Sequence, residues 1–505
     1  MKILIANRGE IAVRIIRACR EMNLPTVAVY SDADRDARHV READQAFHIG
    51  PSEASKSYLH IDRLLDVARR SGADAVHPGY GFLAENAAFA RACRDAGLTF
   101  IGPSPEAITL MGSKTAARQA AIKAGVPVVP GTEQPFAADA SDEELLRVAD
   151  GIGYPLVVKA VAGGGGKGMR TVDARDGLLA AIRTARSEAG SAFGDSAVYL
   201  ERQIIQPRHI EIQLLGDTHG TIIPFVEREC SIQRRHQKVV EESPSLFVAP
   251  ELRRRMAAAA ASVARTVNYT NAGTIEFLVD ADGSFYFLEM NTRLQVEHPV
   301  TEMVTSIDLV RWQIRIARGE RLDIDPDDAL TPVGHAIECR IYAEDPDQGF
   351  MPSPGLIRGI RPAAGPGVRD DGGVSAGYTV PVFYDSMIAK LVAWAASRDE
   401  AIGRMARALR EYQVLGIRTT IPFFLWLMRQ PEYVDGKYDT TYLDRLLTAR
   451  RGESFNELTG SDEDLAAIAA ALDAFMRASA GGGTPSAAAG QSRWTANGRR
   501  EALQG

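Results

Sequence analysis

Cysteine and lysine are both scarce in this 505-residue chain. The four cysteines, Cys19, Cys93, Cys230 and Cys339, are too few and too widely spaced for a disulfide scaffold or a zinc motif, so a reducing, cytoplasmic compartment is expected. No run of about 18 apolar residues occurs, and Arg8 and Glu10 interrupt the N-terminal apolar stretch before it reaches signal length, so neither a membrane partner nor secretion is expected. Excess positive charge is also missing. The 58 Lys plus Arg against 65 Asp plus Glu leave a net charge of -7, which argues against nucleic acid held by bulk charge. Only nine of the basic residues are lysine, so each lysine position invites an explanation.

What is present is a globular mixture, 45% hydrophobic and 24% charged, long enough for about three domains. Through residue 101, short β-rich runs alternate with amphipathic helices, for example Ile3-Ala6 before Ile11-Glu21 and Ala75-His77 before Ala84-Ala96. That rhythm predicts a doubly wound parallel sheet. Residues 114 to about 330 form a mixed unit rich in hairpins, a third unit runs to about 447, and the small residues of 479–490 read as a flexible linker.

Three segments carry chemistry. The run Gly163-Gly-Gly165-Gly166-Lys167-Gly168 leaves backbone N–H groups free to close over a phosphate chain, with Lys159 on the preceding strand, although a plain hairpin loop has the same composition. It is not a P-loop, because Gly rather than Ser or Thr follows Lys167. In Thr274-Ile-Glu276 to Glu289-Met-Asn291, a two-residue Asp282-Gly283 turn sets Glu276 directly opposite Glu289. Two carboxylates at roughly 5 Å repel each other and ask for a cation, and with Asn291 they make a hard oxygen site suited to Mg²⁺ or Mn²⁺. An acidic, solvent-facing hairpin is the plain alternative.

Glu289, Asn291, Arg293, Gln295 and Glu297 then alternate with Met290, Thr292, Leu294 and Val296, and extended backbone would put all five on one face. An amphipathic edge strand gives the same pattern. Arg293 and Glu297 could instead hold and deprotonate an oxyanion substrate. The charged run Glu227 to Glu242 reads by default as a solvated face. A further pattern, Gly79-Tyr-Gly81-Phe-Leu-Ala84, fits a dinucleotide fingerprint but lacks a clear acidic residue about 20 positions on.

Taken together, these segments resemble biotin carboxylase, the ATP-grasp component of biotin-dependent carboxylases. The resemblance begins at Ala6-Asn-Arg8-Gly-Glu10-Ile-Ala-x-Arg14 and runs through His77 to Asn86, Phe100 to Pro103, Met111 to Lys114, the glycine loop and Pro207 to Gln213. It continues through Arg228 to Lys238, Glu289 to Thr301 and Glu338 to Asp345, covering roughly residues 1–447. It implies an N-terminal doubly wound α/β domain (1–113), a central ATP-grasp domain with a mobile lid (114–331), a C-terminal mixed α/β domain (332–447) and a tail (448–505).

The resemblance assigns Lys114, Lys159, Gly165, Gly166, His209, Gln233 and His236 to ATP, with Glu201, Arg202 and Ile204 on the adenine-side hinge. It gives Glu276, Glu289 and Asn291 to the metals and Lys238, Arg293, Gln295 and Val296 to bicarbonate. Glu297 would be the general base, and Arg340 would meet the ureido oxygen of biotin. Biotin would sit on a separate biotin carboxyl carrier protein, because none of the nine lysines lies between methionines as the acceptor motif requires. A separate carboxyltransferase and a homodimer are further expectations. Tyr342, where Asn is frequent, is more similar to the α chains of propionyl-CoA or methylcrotonyl-CoA carboxylases, and Arg202 and Lys167 likewise depart from the acetyl-CoA carboxylase component. Rival readings are an ATP-grasp ligase for another acceptor, a nicotinamide dehydrogenase and a catalytically silent nucleotide-binding protein.

Overall fold

The computed structural model describes residues 1–480 apart from 133, 138–139, 162–168 and 457–459. At the N-terminus, strands Gln45–Gly50, Thr26–Ser31, Ile3–Ile5, Ala75–His77 and Thr99–Phe100 lie in that spatial order, all parallel. Alternation along the strands feeds two cores. Ile3 and Ile5 pack with Ile11, Ile15 and Ile16 of helix Gly9–Glu21, whereas Leu4 joins Leu64 and Val67 of helix Ile61–Ser71 and Phe89 of helix Ala87–Asp95. Asn86 caps the last of these helices, its side chain accepting from the Phe89 N–H at 2.8 Å.

The spatial order turns back between Ile3–Ile5 and Ala75–His77, so a crevice is expected beyond the strands' carboxyl ends. Here the chain's own Asn7 donates to the Pro78 and Tyr80 carbonyls at 2.7 and 2.8 Å. Gly79 and Gly81 have φ of +64° and +68°, and a Cβ on Gly79 would lie 3.0 Å from the Asn7 side chain. The dinucleotide-like glycines therefore serve a turn and a close approach, which removes the ground for the dehydrogenase reading.

A small antiparallel sheet, Met169–Val172, Leu156–Ala160 and Val198–Arg202, packs its own core of Leu156, Val158, Val198 and Leu200 against Leu145 of helix Asp142–Ile152 and Ile182 of helix Leu178–Phe193. The glycine run, with Gly165, Gly166 and Lys167, lies outside the described residues.

The scaffold of the site is a nine-stranded antiparallel sheet. Its main path runs Phe285–Asn291, Asn271–Val279, Arg208–Gly216, Arg228–Arg234, Gln237–Ser243, His335–Tyr342, Met387–Ala395 and Val368–Gly372. Gln237–Ser243 pairs with His335–Tyr342 through Val240↔Cys339 and Glu241↔Glu338, so one sheet continues across position 331. The charged run from residue 227 is a solvated face only at its middle, Arg235 to Gln237, whereas Arg228, Glu227, Glu229, Glu241 and Glu242 are all buried.

All four cysteines are free and buried. The chain divides into two compact units, Met1–Glu453 and Ser454–Gly505, and in the second of these Gly460–Ala480 is helical. Most of the expected linker, 481–490, lies outside the described residues. Among the described residues no helix is long and apolar enough to cross a membrane.

Candidate active site

A cavity of about 650 Å³ opens over one face of the large sheet, and every described residue expected at the site lines it. One end is bounded by the small sheet and the hinge that follows it. Lys159 projects from Leu156–Ala160 and pairs with Glu201, which Arg118 also reaches at 3.4 Å. Arg202, Ile204, Lys114, His209 and Gln233 also line the cavity. His236 stands at the tip of the hairpin joining Arg228–Arg234 to Gln237–Ser243. Arg235 and His236 have φ of +51° and +65°, unusual for residues with a Cβ and the geometry of a tight two-residue turn.

Glu276 and Glu289 stand directly opposite each other across the hairpin Asn271–Val279 to Phe285–Asn291. The turn is not the expected two-residue one. Asp280 N–H donates to the Ser284 carbonyl, leaving residues 281–283 as the loop, with Gly283 at φ +81°. That shifts the pairing by one, so Phe277 faces Phe287, and a bulge between Glu276 and Phe277 shifts it back. The carboxylates face each other because two one-residue offsets cancel.

The expected extended run from Glu289 to Glu297 is also corrected. The strand ends at Asn291, residues 292–297 turn, and helix His298–Thr305 follows. Glu289, Asn291, Arg293, Gln295 and Glu297 nevertheless all line the cavity. Glu85 ties the turn down: it accepts from the Thr292 N–H at 2.9 Å and from Arg293 at 2.8 Å, and Arg293 also donates to Asn291 at 2.9 Å.

At the centre, Lys238 Nζ donates to Glu211 at 2.5 Å, Glu276 at 2.8 Å and Glu297 at 2.7 Å. Burial disfavours the ammonium, but these three carboxylates outweigh it and raise its pKa well above the usual range. Burial likewise opposes the charge on Glu297, yet Lys238, Arg340 and Arg228 hold its carboxyl far below its ordinary value. Arg340 reaches Glu297 at 3.2 Å and also pairs with Glu241, which burial pushes up to about 7 against the pull of Arg340.

The oxygen set fits a divalent cation. Glu276 accepts from Asn291 at 2.9 Å and from Gln295 at 2.8 Å and lies 2.9 Å from His209 Nε2, and its carboxyl is held well below its ordinary range as Lys238 and His209 overcome burial. Glu289 goes the other way, pushed up by burial and by the Glu276 charge, a repulsion that a cation between the two would relieve.

Sequence reasoning missed Glu211, Arg228, Glu241 and Glu85. Arg228 is fully buried and donates to Glu211 at 2.5 Å, Gln295 at 2.6 Å, Gln213 at 2.9 Å and, at 3.1 Å, to both Thr274 and Thr301. A signal was available, because His209, Glu211 and Gln213 alternate with Ile210, Ile212 and Leu214, the mark of a strand with one polar face.

Profiles of known families match nearly the whole span. The biotin carboxylase N-terminal domain matches residues 1–108, the ATP-binding domain of the carbamoyl-phosphate synthase L chain matches 113–325, and the biotin carboxylase C-terminal domain matches 338–445. The chain is 53% identical to biotin carboxylase of Nostoc sp. over 445 residues, covering 88% of this chain and 99% of that one. It is 49% identical to a pyruvate carboxylase subunit of Methanothermobacter thermautotrophicus over 496 residues, covering 95% and 99%. In structure it is similar to the biotin carboxylase domain dimer of Hydrogenobacter thermophilus 2-oxoglutarate carboxylase, solved with MgADP, ADP and bicarbonate. The TM-score there is 0.83 at 46% identity, covering 91% of this chain and 99% of that one.

Proposed function

The chain belongs to the biotin carboxylase family, and on that footing we propose how its own residues divide the work. The protein is an ATP-dependent carbon–nitrogen ligase that carboxylates biotin borne on a separate carrier. Bicarbonate attacks the γ-phosphorus of ATP, giving carboxyphosphate and ADP; carboxyphosphate breaks into CO₂ and phosphate; phosphate takes the N1 proton of biotin; and the biotin enolate bonds to CO₂ through N1.

Glu297 is assigned the bicarbonate proton, with Arg293, Gln295 and the Val296 backbone orienting that anion. Lys159 and Lys238 supply positive charge around the transferring phosphoryl oxygens, and His209, Gln233, His236 and the hinge hold the nucleotide. Glu276, Glu289 and Asn291 would hold Mg²⁺ or Mn²⁺, which when bound neutralises phosphate charge. Arg340, always a cation, is assigned the enolate oxygen of biotin. The observation that supports this division most is the contact of Lys238 with both Glu276 and Glu297 while Arg340 reaches Glu297 from the far side. On this reading a phosphoryl site and an acceptor site meet around one carboxylate.

The domain limits 1–113, 114–331 and 332–447 are proposed with it, supported by the extents of the three profile matches. A biotin carboxyl carrier protein and a separate carboxyltransferase are the proposed partners, and a homodimer the proposed assembly, as the Hydrogenobacter domain is described. Four free, buried cysteines agree with a cytoplasmic location.

The same proposal extends to the final acceptor. An acyl-CoA is the proposed acceptor, as in the methylcrotonoyl-CoA carboxylase subunit alpha of rice, to which the chain is 48% identical over 475 residues. A carboxyltransferase co-purified with this chain should then decarboxylate a carboxylated acyl-CoA such as malonyl-CoA rather than oxaloacetate.

Phosphate release measured with ATP, bicarbonate and biotin, each omitted in turn, tests the main reading. Release should need ATP and bicarbonate together and rise with biotin. Release indifferent to bicarbonate would overturn it.

A further inference from the structure

Lys390 is the least accessible lysine side chain among the described residues, fully buried on strand Met387–Ala395, and the reaction scheme above gives it nothing to do. A buried ammonium needs partners in fixed places. Its Nζ donates to the Val296 carbonyl at 2.8 Å and lies 3.4 Å from Glu10 on the first turn of helix Gly9–Glu21. Val296 belongs to the 292–297 turn, where no ladder pairing holds the backbone, and its peptide sits between Gln295 and Glu297.

Both sides of Lys390 are stiff. In the sheet it stands directly opposite Arg340 on one neighbouring strand and Asp371 on the other. The Glu10 end is wedged as well, since a Cβ added to Gly373 would lie 2.4 Å from the Glu10 backbone nitrogen. Glu338 and His298 also face this ammonium electrostatically. The strand that presents Lys390 is thus paired with the strand that presents Arg340 to the cavity, while its ammonium grips the turn carrying the bicarbonate-side groups.

We propose that Lys390 is a positioning residue for the reaction. Its ammonium, backed by Glu10, fixes the Val296 carbonyl and through that peptide sets the placement of Gln295 and Glu297 for bicarbonate. The proposal rests on the bicarbonate assignment made above. It predicts a selective effect, because the nucleotide groups His209, Gln233 and Lys159 stand on other strands.

The test is steady-state ATP cleavage by the full chain with biotin present, varying bicarbonate and ATP separately, on Lys390→Met and on the double variant Glu10→Gln/Lys390→Met. The double variant removes both buried charges, so it keeps the question answerable if Lys390→Met alone leaves Glu10 uncompensated and fails to fold. The expected result is a KM for bicarbonate raised about tenfold or more in each folded variant, with the KM for ATP within about twofold of the parent. A parental bicarbonate KM in the double variant, or equal rises in both KM values, would overturn the proposal. Arg293→Lys, run alongside, separates the two levels. If it raises the bicarbonate KM and the Lys390 variants do not, only the Lys390 role falls. If neither does, the bicarbonate assignment falls and takes the Lys390 role with it.

Discussion

Lys238 donates to Glu297 at 2.7 Å, so the group assigned to accept a proton rests against a cation that also touches Glu276 at 2.8 Å. The contact keeps Glu297 ionised throughout the neutral range, and it makes one ammonium the junction between the proposed metal-side carboxylate and the proposed base. All three of Lys238, Arg293 and Glu297 line the cavity, so the bicarbonate assigned to it would meet two cations that attract it and the carboxylate assigned its proton. Arg340, paired with Glu297 at 3.2 Å, closes the cluster on the side assigned to biotin.

Glu297→Gln keeps the shape and loses the base. Turnover should fall by roughly 10² to 10⁴-fold while the KM for ATP changes little. Steady-state kinetics decide it, and turnover within about a few-fold of the parent would assign the base elsewhere.

Glu276→Gln or Glu289→Gln removes one of the two facing carboxylates, so each variant should need more Mg²⁺ for half-maximal ATP cleavage. Magnesium titrations of the parent and both variants make the comparison. Superimposable curves would contradict the paired-carboxylate site.

Glu242 gives a stability prediction with a defined pH window. It is buried, lies 2.6 Å from both His335 Nε2 and Arg398 Nε, and accepts from Tyr438. Burial alone would raise its pKa, but His335 and Arg398 lower it from 4.5 to about 2. A carboxyl depressed in the folded state stabilises fully above about 4.5, and that contribution is lost as pH falls toward 2. Glu242→Gln should therefore cost about 3 to 5 kcal/mol at neutral pH and flatten the loss of stability between those pH values. Urea unfolding at neutral pH and at stepped acidic pH reads both.

The chemistry of the site was legible in residue types and spacing, and its backbone less so. The helices of the parallel layer follow directly from apolar periodicity, as Ile11, Ile15 and Ile16 show by packing on Ile3 and Ile5. The facing of Glu276 and Glu289 was legible only because the three-residue loop and the bulge offset each other, and no local propensity announces a bulge. The turn after Asn291 was hidden by its own alternation: a polar residue at every second position reads as a strand, whereas here Glu85 anchors a bend that gathers the same side chains. Arg228, Glu211 and Lys390 act through partners at least 15 residues away in sequence, which no linear pattern records.

The central claim is that one cavity joins a phosphoryl site to a separate biotin site through Glu297 and Arg340. Arg340→Lys keeps the charge and loses the planar fork that reaches Glu241 and Glu297. Phosphate release and carboxybiotin, measured on the same sample with ATP, bicarbonate and biotin, test the claim most directly. The account predicts that bicarbonate-dependent phosphate release survives better than carboxybiotin formation, so that more ATP is consumed per carboxybiotin than in the parent. An equal loss of both would mean that Arg340 serves the phosphoryl step or the fold, and would contradict the claim.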